Sequence, residues 1–312
     1  HQQQTISSID LQLRPINNSQ EVLRSVPGLF IGQHAGGGKA EQIFLRGFDL
    51  DHGTDIRLTV DGMPVNMVSH AHGQGYADLH FVIPELIERV DFKKGPYYAD
   101  KGNFTTAGWV DFRTKNVLDQ NFVKVEAGQF NTYRAVGAFN LLGQKAKERN
   151  ESMYVGGEYS YSDSYFDSPQ HFRRVNAVTK YNRQFSSKSQ LTLTASTFWS
   201  KWNHSGQIPD RAVDAGQISF YGAIDDTEGG ETSRSNVNAQ LVTQLGHGVL
   251  KNQLFYSNYN FLLFSNFTFF KEDPVNGDQI KQHENRNLWG GNTSYSLEHG
   301  NGASSNVGVD YR

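Results

Sequence analysis

From Gln120 to the end of the chain, apolar and polar residues alternate over segments of about ten residues. Residues two apart in a β-strand lie on the same face, so each segment predicts a strand with one apolar and one polar face. Strands of this kind, repeated with a polar face toward a wet interior, are typical of a transmembrane β-barrel. Only Val249 to Phe264 alternates poorly. The clearest apolar series are Val123, Val125 and Ala127; Met153, Val155 and Tyr159; Leu191, Leu193 and Ala195; and Val237, Ala239 and Leu241.

The predicted connections alternate between short and long, as turns and loops do at the two ends of outer-membrane barrels. One link breaks this pattern, because the first loop, at Gln129 to Thr132, is very short. The pattern predicts roughly nine strands. Nine strands leave two open edges, and an open edge is costly in lipid, so we expect the chain to supply only part of a barrel. The short links are 144–150, 186–189, 246–248 and 298–303, and the long ones 163–172, 202–233 and 265–282.

Composition excludes several other classes of protein. The net charge of −3 and the absence of basic runs with interleaved aromatics give no indication of nucleic-acid binding. The chain has no cysteine, which excludes disulfides, thiolate metal sites and cysteine nucleophiles. It also has no hydrolase motif, so we predict neither an enzyme nor a cofactor. The first residues lack the features of a signal peptide, and we expect the sequence to begin after processing or truncation.

The stretch from Gln42 to Lys115 holds short β-runs, each closed by a turn signal. The clearest turn is Asp61-Gly62, an Asp-Gly pair between two apolar runs, which predicts a tight hairpin. Upstream, a short helix is predicted from Gln20 to Ser25, after an extended lead-in over residues 1–16. These features together predict a small, turn-rich α+β domain.

The order of the pieces in this domain is more specific than any one of them. Leu45-Arg46-Gly47-Phe48 is followed by the Asp61-Gly62 hairpin, an I-E-R-V segment ending in Gly95-Pro96, and a G-x-V-x-F-x-T strand from Gly108. In this order they closely resemble the plug domain of TonB-dependent outer-membrane receptors. The resemblance implies an α+β plug at residues 1–118, followed at 119–312 by the first strands of an antiparallel transmembrane β-barrel. The barrel is then incomplete, with roughly nine of the about 22 strands that plugged outer-membrane transporters have. It also implies a location in the cell outer membrane.

The same resemblance implies a function. Such receptors import a scarce nutrient, most often a siderophore-iron complex or another metal chelate. Two alternatives stay open: a receptor that signals ligand occupancy without import, and an importer of a non-metal nutrient such as cobalamin or a glycan. The implied partners are a TonB-type inner-membrane energy-coupling protein, reached through an N-terminal segment preceding this sequence, the lipid of the outer membrane, and the ligand.

Two cations are candidates for pairing the plug to the barrel. By resemblance, Arg46 is expected inside the barrel, held by carboxylates of the wall, because an unpaired buried charge is very costly. The alternative is a solvated arginine at the end of a strand. Lys94 stands where the family often has a second arginine, and a lysine cannot make the same planar, two-pronged contact.

The loop after the hairpin holds the candidate ligand site. By resemblance it lies at the outer apex of the plug, where His70, His72 and Tyr76 are predicted to contact the ligand, with Tyr76 stacking on it. Two histidines two residues apart in an extended segment could also chelate a metal. The alternative is that they form hydrogen bonds within a polar loop. The further candidate metal ligands are His34, His52 and Asp78.

Overall fold

The computed structural model describes residues 3–14, 16, 18–33, 37–300 and 302–312. The chain forms an N-terminal domain of short elements and, after it, one nine-stranded sheet, which we call the wall. None of the helices within these described residues is long and apolar enough to cross a membrane.

The N-terminal domain has the predicted α+β character. Its main sheet has the order β1-β7-β8-β5-β6, with β5 and β8 parallel, and a smaller sheet has the order β2-β3-β4. Short 3-10 helices span Ser19–Ser25 and Pro84–Leu86. The remaining elements are β1 (Gln4–Ser7), α1 (Ser8–Gln12), β2 (Leu29–Gly32), β3 (Gln42–Leu45), β4 (Phe48–Asp49), β5 (Ile56–Val60), β6 (Met63–Pro64), β7 (Ile87–Lys94) and β8 (Gly108–Thr114).

The start of the domain differs from the predicted extended lead-in. Residues 4–7 pair with β7, and a helix follows immediately. Ser7 and Asp10 form a capping box, in which each side chain accepts a hydrogen bond from the backbone N–H of the other. The predicted Asp61-Gly62 hairpin is confirmed, because both residues have positive φ, 50° and 79°, as this turn requires.

The wall contains the nine strands predicted from the alternation. Each strand pairs antiparallel with its neighbour in the sequence, and β9 and β17 form the two edges. Two short helices, α2 (Gln144–Lys147) and α3 (Asp210–Asp214), lie in its connections. The strands are β9 (Phe122–Gly128), β10 (Thr132–Asn140), β11 (Glu151–Ser162), β12 (Phe172–Ser186), β13 (Ser189–Asn203), β14 (Gly229–Leu245), β15 (Gly248–Ser265), β16 (Ile280–Glu298) and β17 (Ser304–Tyr311).

Long connections meet at one end of the wall, which we call the long-loop end. They span residues 163–171, 204–228 and 266–279, close to the predicted ranges. At the opposite, short-turn end, 187–188 and 246–247 join strands directly. The wall therefore has the two unequal ends expected of an outer-membrane barrel.

The inward face of the wall packs against the N-terminal domain. Phe198 and Phe255 of the wall are buried in the same apolar cluster as the core of that domain. On β15 the inward positions include the buried Tyr259, Phe261 and Leu263. The poor alternation of this segment follows from that packing, because here the inward side chains meet protein and not water.

Candidate ligand site

The loop Ser69–Gln74, which we call the apex loop, is held by strand β16 toward the long-loop end of the wall. Gln282 Nε2 donates a 2.8 Å hydrogen bond to the carbonyl of Ala71. The backbone N–H of Ala71 donates to Glu284 Oε2, also at 2.8 Å. Both backbone polar groups of Ala71 are thus bonded to neighbouring inward positions of one strand.

The next inward residue of β16 continues this contact. Arg286 donates to the carbonyl of Ser69 at 2.6 Å and to its hydroxyl at 3.2 Å, while its Nε lies 2.9 Å from Glu284 Oε1. Sequence reasoning did not identify these residues. The signal that could have found them is the alternating Gln282-x-Glu284-x-Arg286 series, three hydrogen-bonding side chains on one face of a strand.

His70 is packed in an aromatic cluster. Its ring lies parallel to that of Tyr76, with a centroid separation of 4.0 Å and an interplanar angle of 1°. Phe261 meets His70 edge-on at 4.6 Å. Tyr76 itself is only 1 % exposed, and its hydroxyl accepts a hydrogen bond from the backbone N–H of Ala40. In this structure the ring of Tyr76 is buried and supports His70, and its stacking on a ligand remains a prediction.

Both ring nitrogens of His70 have hydrogen-bond partners. Nδ1 accepts from the backbone N–H of His72 at 3.1 Å, so the neutral ring carries its proton on Nε2. Nε2 lies 3.0 Å from the hydroxyl of Tyr259 and donates to it. Burial, followed by the nearby His72 and Arg286, lowers the pKa of His70 to about 3. The ring is therefore neutral at physiological pH, and it does not titrate near 6.5.

His72 is engaged in a similar way. Its Nδ1 lies 3.0 Å from Gln282 Oε1, an oxygen that can only accept, so Nδ1 carries the proton. Its Nε2 then accepts from His52 Nε2 at 3.2 Å. Burial is the main cause that lowers the pKa of His72.

These contacts do not form a metal site. Within the described ranges, no group of three or more His, Asp or Glu side chains is placed to hold a metal ion. The predicted chelation by His70 and His72 is not seen, because each ring nitrogen bonds to another protein group. Asp78 lies 3.3 Å from His80. His34, the remaining candidate, lies outside the described residues.

A buried carboxyl group joins two of the long connections. Glu228 accepts a hydrogen bond from the backbone N–H of Asn266, and its Oε2 lies 3.7 Å from His204 Nε2. Burial raises the pKa of Glu228 to about 7. The side chain therefore ties two long loops together and can exchange a proton near neutral pH.

The N-terminal domain is also tied to the wall by charge. Arg134 on β10 makes a bidentate contact with Glu85, at 2.6 and 2.7 Å, and bonds to Glu126 and Glu158. Glu158 is shared with Arg174, whose Nε lies 2.8 Å away. Glu85 belongs to the N-terminal domain, so this network joins the two parts of the chain.

The hairpin turn makes a second such connection. Lys180 Nζ of β12 lies 3.2 Å from Asp61 Oδ2. The carbonyl of Asp61 accepts hydrogen bonds from the side-chain amides of Asn238, Gln240 and Gln253 at 2.6 to 3.1 Å. Gln253 lies six residues before Tyr259 on β15, nearer the short-turn end. The hairpin thus contacts the wall nearer its short-turn end, and the apex loop lies nearer its long-loop end.

Residues 1–109 match the family model described as TonB-dependent Receptor Plug Domain. This part of the chain is a TonB-dependent receptor plug domain. The N-terminal domain described above is this plug, and the outer-membrane location that the resemblance implies is confirmed with it.

Solved structures show the same fold over the whole chain. The unliganded ferric citrate transporter FecA matches with a TM-score of 0.79 at 14% identity, covering 99% of this chain and 46% of that one. The copper transporter OprC matches with 0.73 at 17% identity, covering 99% and 44%. A ferric enterobactin receptor mutant of Pseudomonas aeruginosa (PfeA), in complex with enterobactin, matches with 0.71 at 16%, covering 99% and 49%. The chain thus spans a little less than half the length of these proteins, which are described as transporters and receptors.

The plug cations predicted to pair with the barrel are placed differently from expectation. Arg46 is exposed, at a left-handed turn with φ of 52°, because the strand ends there before Gly47. Lys94 lies close to it, and both side chains approach Gly28. Neither is in an ion pair among the described residues, so their pairing with barrel carboxylates remains a prediction. The pairs that join plug and wall have the opposite polarity, with the cation on the wall.

Proposed function

We propose that this chain supplies the plug, residues 1–118, and the first barrel strands, residues 119–312, of a transporter that imports a metal chelate. The ligand class that fits best is a siderophore-iron complex. This proposal rests on the plug match and on the fold shared with transporters of ferric citrate and copper and with a ferric enterobactin receptor.

The observation that carries the proposal is the attachment of the apex loop to β16. A ligand arriving from the long-loop end would meet the exposed Val68, Ser69 and Gln74 and the half-buried His70 and His72. The hydroxyl of Ser69 and the amide of Gln74 offer neutral hydrogen-bonding groups, whereas the ring nitrogens of His70 and His72 are bonded within the protein and are not free metal ligands. The metal would therefore enter inside its chelator, and the receptor would contact the chelator's polar atoms.

Movement of the plug would then open the path. In this proposal, a TonB-type inner-membrane protein acts through a segment that precedes β1. The apex loop is bonded to the wall through Ala71 and Ser69, so a displaced plug must break these bonds or pull on β16. Ligand binding at the apex loop and displacement of the plug are therefore coupled.

The test is uptake by the full-length receptor, expressed in a strain that lacks it. Radiolabelled iron is supplied as citrate, catecholate or hydroxamate chelates, and labelled cobalamin and a maltodextrin serve as non-metal nutrients. We expect one iron chelate to be imported, and import to require the energy-coupling partner. The variant His70→Ala/His72→Ala should bind that chelate more weakly, whereas His283→Ala/His299→Ala, in which two exposed histidines are removed, should not.

Three results would contradict the proposal. Import of cobalamin or the glycan alone would assign a different nutrient. Binding of a chelate that induces transcription, with no accumulation of label, would indicate a receptor that signals without import. If the His70→Ala/His72→Ala variant bound the imported chelate with unchanged affinity, the apex loop would not be part of the ligand site. The plug match would not be affected by that result.

A further inference from the structure

Strand β13 faces the plug without a polar side-chain bond to it. Residues two apart lie on one face of a strand, and the inward side chains of β13 are Thr194, Ser196, Phe198, Ser200 and Trp202. Among the described residues, every side-chain hydrogen bond of β13 ends on another residue of the wall. We call the contact between these five side chains and the plug the β13 interface.

The strands on either side of β13 are bonded to the plug. On β12, Asn176 Nδ2 donates a 2.8 Å hydrogen bond to the carbonyl of His80. On β14, Asn238 Nδ2 donates to the carbonyl of Asp61 at 3.1 Å. At β13, by contrast, the plug is held by apolar packing, in particular by Phe198, which is buried in the apolar cluster of the plug core. The attachment of the plug to the wall is therefore uneven.

Two neighbouring hydroxyls at this place are buried without a partner. Ser200 of β13 and Thr232 of β14 are cross-strand partners, 0 % and 1 % exposed. In the part of the chain that the structure describes, neither hydroxyl forms a hydrogen bond, and neither does the indole nitrogen of Trp202. A buried polar group without a partner destabilises the state in which it is buried, because water bonds to it in the open state. Hydration of these groups therefore favours separation of plug and wall here.

A cavity of about 40 Å³ lies between the plug and the wall, toward the short-turn end of the β13 interface. On the plug it is lined by the apolar Phe81, Val82 and Ile83, and on β13 by the small polar Thr194 and Ser196. A cavity of this volume has room for about one water molecule. The apolar plug surface and the polar surface of β13 thus meet imperfectly, and they can separate without breaking a hydrogen bond between them.

The polar groups of the wall beside this cavity are bonded within the wall. Asn236 Nδ2 donates to Ser196 Oγ at 3.1 Å. Asn236 Oδ1 accepts from the hydroxyl of Ser257 at 2.6 Å and from Arg234 Nε at 2.8 Å. These bonds do not involve the plug and stay intact when it moves. The wall surface uncovered at β13 is then one of small hydroxyls and amides.

We propose that the plug separates from the wall first at the β13 interface, while its bonded contacts with β10 and β16 still hold. The space opened there is the route of the imported chelate, and this second part rests on the proposed function. Thr194, Ser196 and Ser200 line the route. Their hydroxyls are small and neutral, so they can form hydrogen bonds to the polar atoms of the chelate as it passes without holding it by charge.

The test measures which part of the interface opens first. The 312 residues contain no cysteine, so one introduced cysteine reports on one position. The reporter is Ser200→Cys, in a purified full-length receptor with no other cysteine. The control is Ser160→Cys on β11, where the buried hydroxyl accepts a hydrogen bond from Arg174. Reaction of each protein with a maleimide is followed in urea concentrations below the global unfolding transition.

We expect Ser200→Cys to react at a lower urea concentration than Ser160→Cys. Adding Thr232→Val to the reporter should slow its reaction about tenfold, because this change removes a buried hydroxyl that has no partner. The matched control is Ser257→Ala, which removes a buried hydroxyl that is bonded to Asn236 and should not slow the reaction. Equal reaction of the two cysteines at every urea concentration would overturn the proposal, since the plug would then leave as one unit. Unchanged reaction after Thr232→Val would overturn it as well.

The route is tested in cells that express the receptor and are supplied with the iron chelates. A membrane-impermeant maleimide should modify Ser200→Cys during uptake and stop further uptake, and it should leave uptake by Ser160→Cys unchanged. Uptake that continues after modification of Ser200→Cys would exclude β13 from the route. If the unmodified receptor imports no chelate, the proposed function fails and the route with it, whereas the order of separation measured in urea is unaffected.

Discussion

Lys180 Nζ lies 3.2 Å from Asp61 Oδ2, so a cation of the barrel wall is neutralised inside the turn of the plug's hairpin. Both residues are buried, and the carboxylate of Asp61 also accepts bonds from the backbone N–H and the hydroxyl of Thr114. The side chain of Asp61 thus joins the hairpin, strand β8 and the wall.

Removal of Lys180 should loosen the plug. Lys180→Met leaves the buried Asp61 carboxylate without its counter-ion, which costs about 3–5 kcal/mol. The measurement is urea unfolding of the full-length receptor, monitored through protease cleavage of the plug. Asp61→Asn in the same protein should restore most of the loss, because a neutral pair needs no counter-ion and Asn tolerates the left-handed turn. A double variant no more stable than Lys180→Met would show that the ion pair is not the cause.

Arg134 should matter more to plug docking than an arginine in a surface pair. Arg134→Met leaves Glu158, whose side chain is fully buried, with one cation fewer, and it breaks the bidentate contact to Glu85. We expect a loss of about 3–5 kcal/mol. Arg149→Met, which removes an exposed pair with Glu151, should cost less than about 1 kcal/mol. Similar losses in the two variants would contradict the role assigned to the Arg134 network.

His70 should make the receptor sensitive to acid. Its pKa is about 3 when folded but near 6.5 when unfolded, so between these values the unfolded chain binds a proton that the folded chain does not. Stability is therefore lost as the pH falls from 6.5 toward 3. His70→Phe keeps a flat ring against Tyr76 and cannot titrate, so its unfolding free energy should change less between pH 7 and pH 4.5. Parallel pH profiles for parent and variant would show that His70 is not the group responsible.

Glu228 should act in the opposite direction. Its folded pKa of about 7 is above the ordinary value of 4.5, so the folded protein holds a proton that the unfolded chain has lost. Its contribution to stability is present below pH 4.5 and is lost as the pH rises through 7. Glu228→Gln can still accept from the N–H of Asn266 and cannot ionise. We therefore expect slower hydrogen exchange of residues 204–228 in this variant than in the parent at pH 8, and equal exchange at pH 5. Faster exchange in the variant at pH 8 would contradict this assignment.

The sequence predicted those parts of the fold that are set by local periodicity and turn chemistry. The Asp61-Gly62 turn, the nine strands of the wall and the positions of the long loops all follow from patterns within a few residues. They are confirmed because two-residue alternation and left-handed turn residues depend little on distant contacts.

The wall beside the plug could not be predicted in the same way. The expectation that polar side chains face inward assumes a water-filled interior. Tyr259 and Phe261 nevertheless face inward, because the plug fills the space there. The alternation marks one face of each strand as polar, but it does not indicate which groups the side chains on that face contact. Glu85 and Arg134 are 49 residues apart in sequence, and no local pattern connects them.

The apex loop shows a similar limit. Its composition identified a polar loop with His70 and His72, and the structure brings both to one place. Composition could not indicate which rings point inward. Tyr76 is buried because Ala40 and His70 pack around it, and both contacts depend on the tertiary fold.

In the import mechanism proposed above, force applied at the N-terminus of the plug acts first on strand β1. It is held to β7 by a register of only four residue pairs, from Gln4↔Phe92 to Ser7↔Arg89, supported by the bond from Thr5 to Asp91. A tension applied ahead of Gln4 reaches this short seam before it reaches the parallel β5–β8 pair at the centre of the sheet. The plug is therefore expected to unfold stepwise from this edge of its sheet. Strand β1 would detach first, while the hydrogen bonds between the apex loop and β16 stay intact.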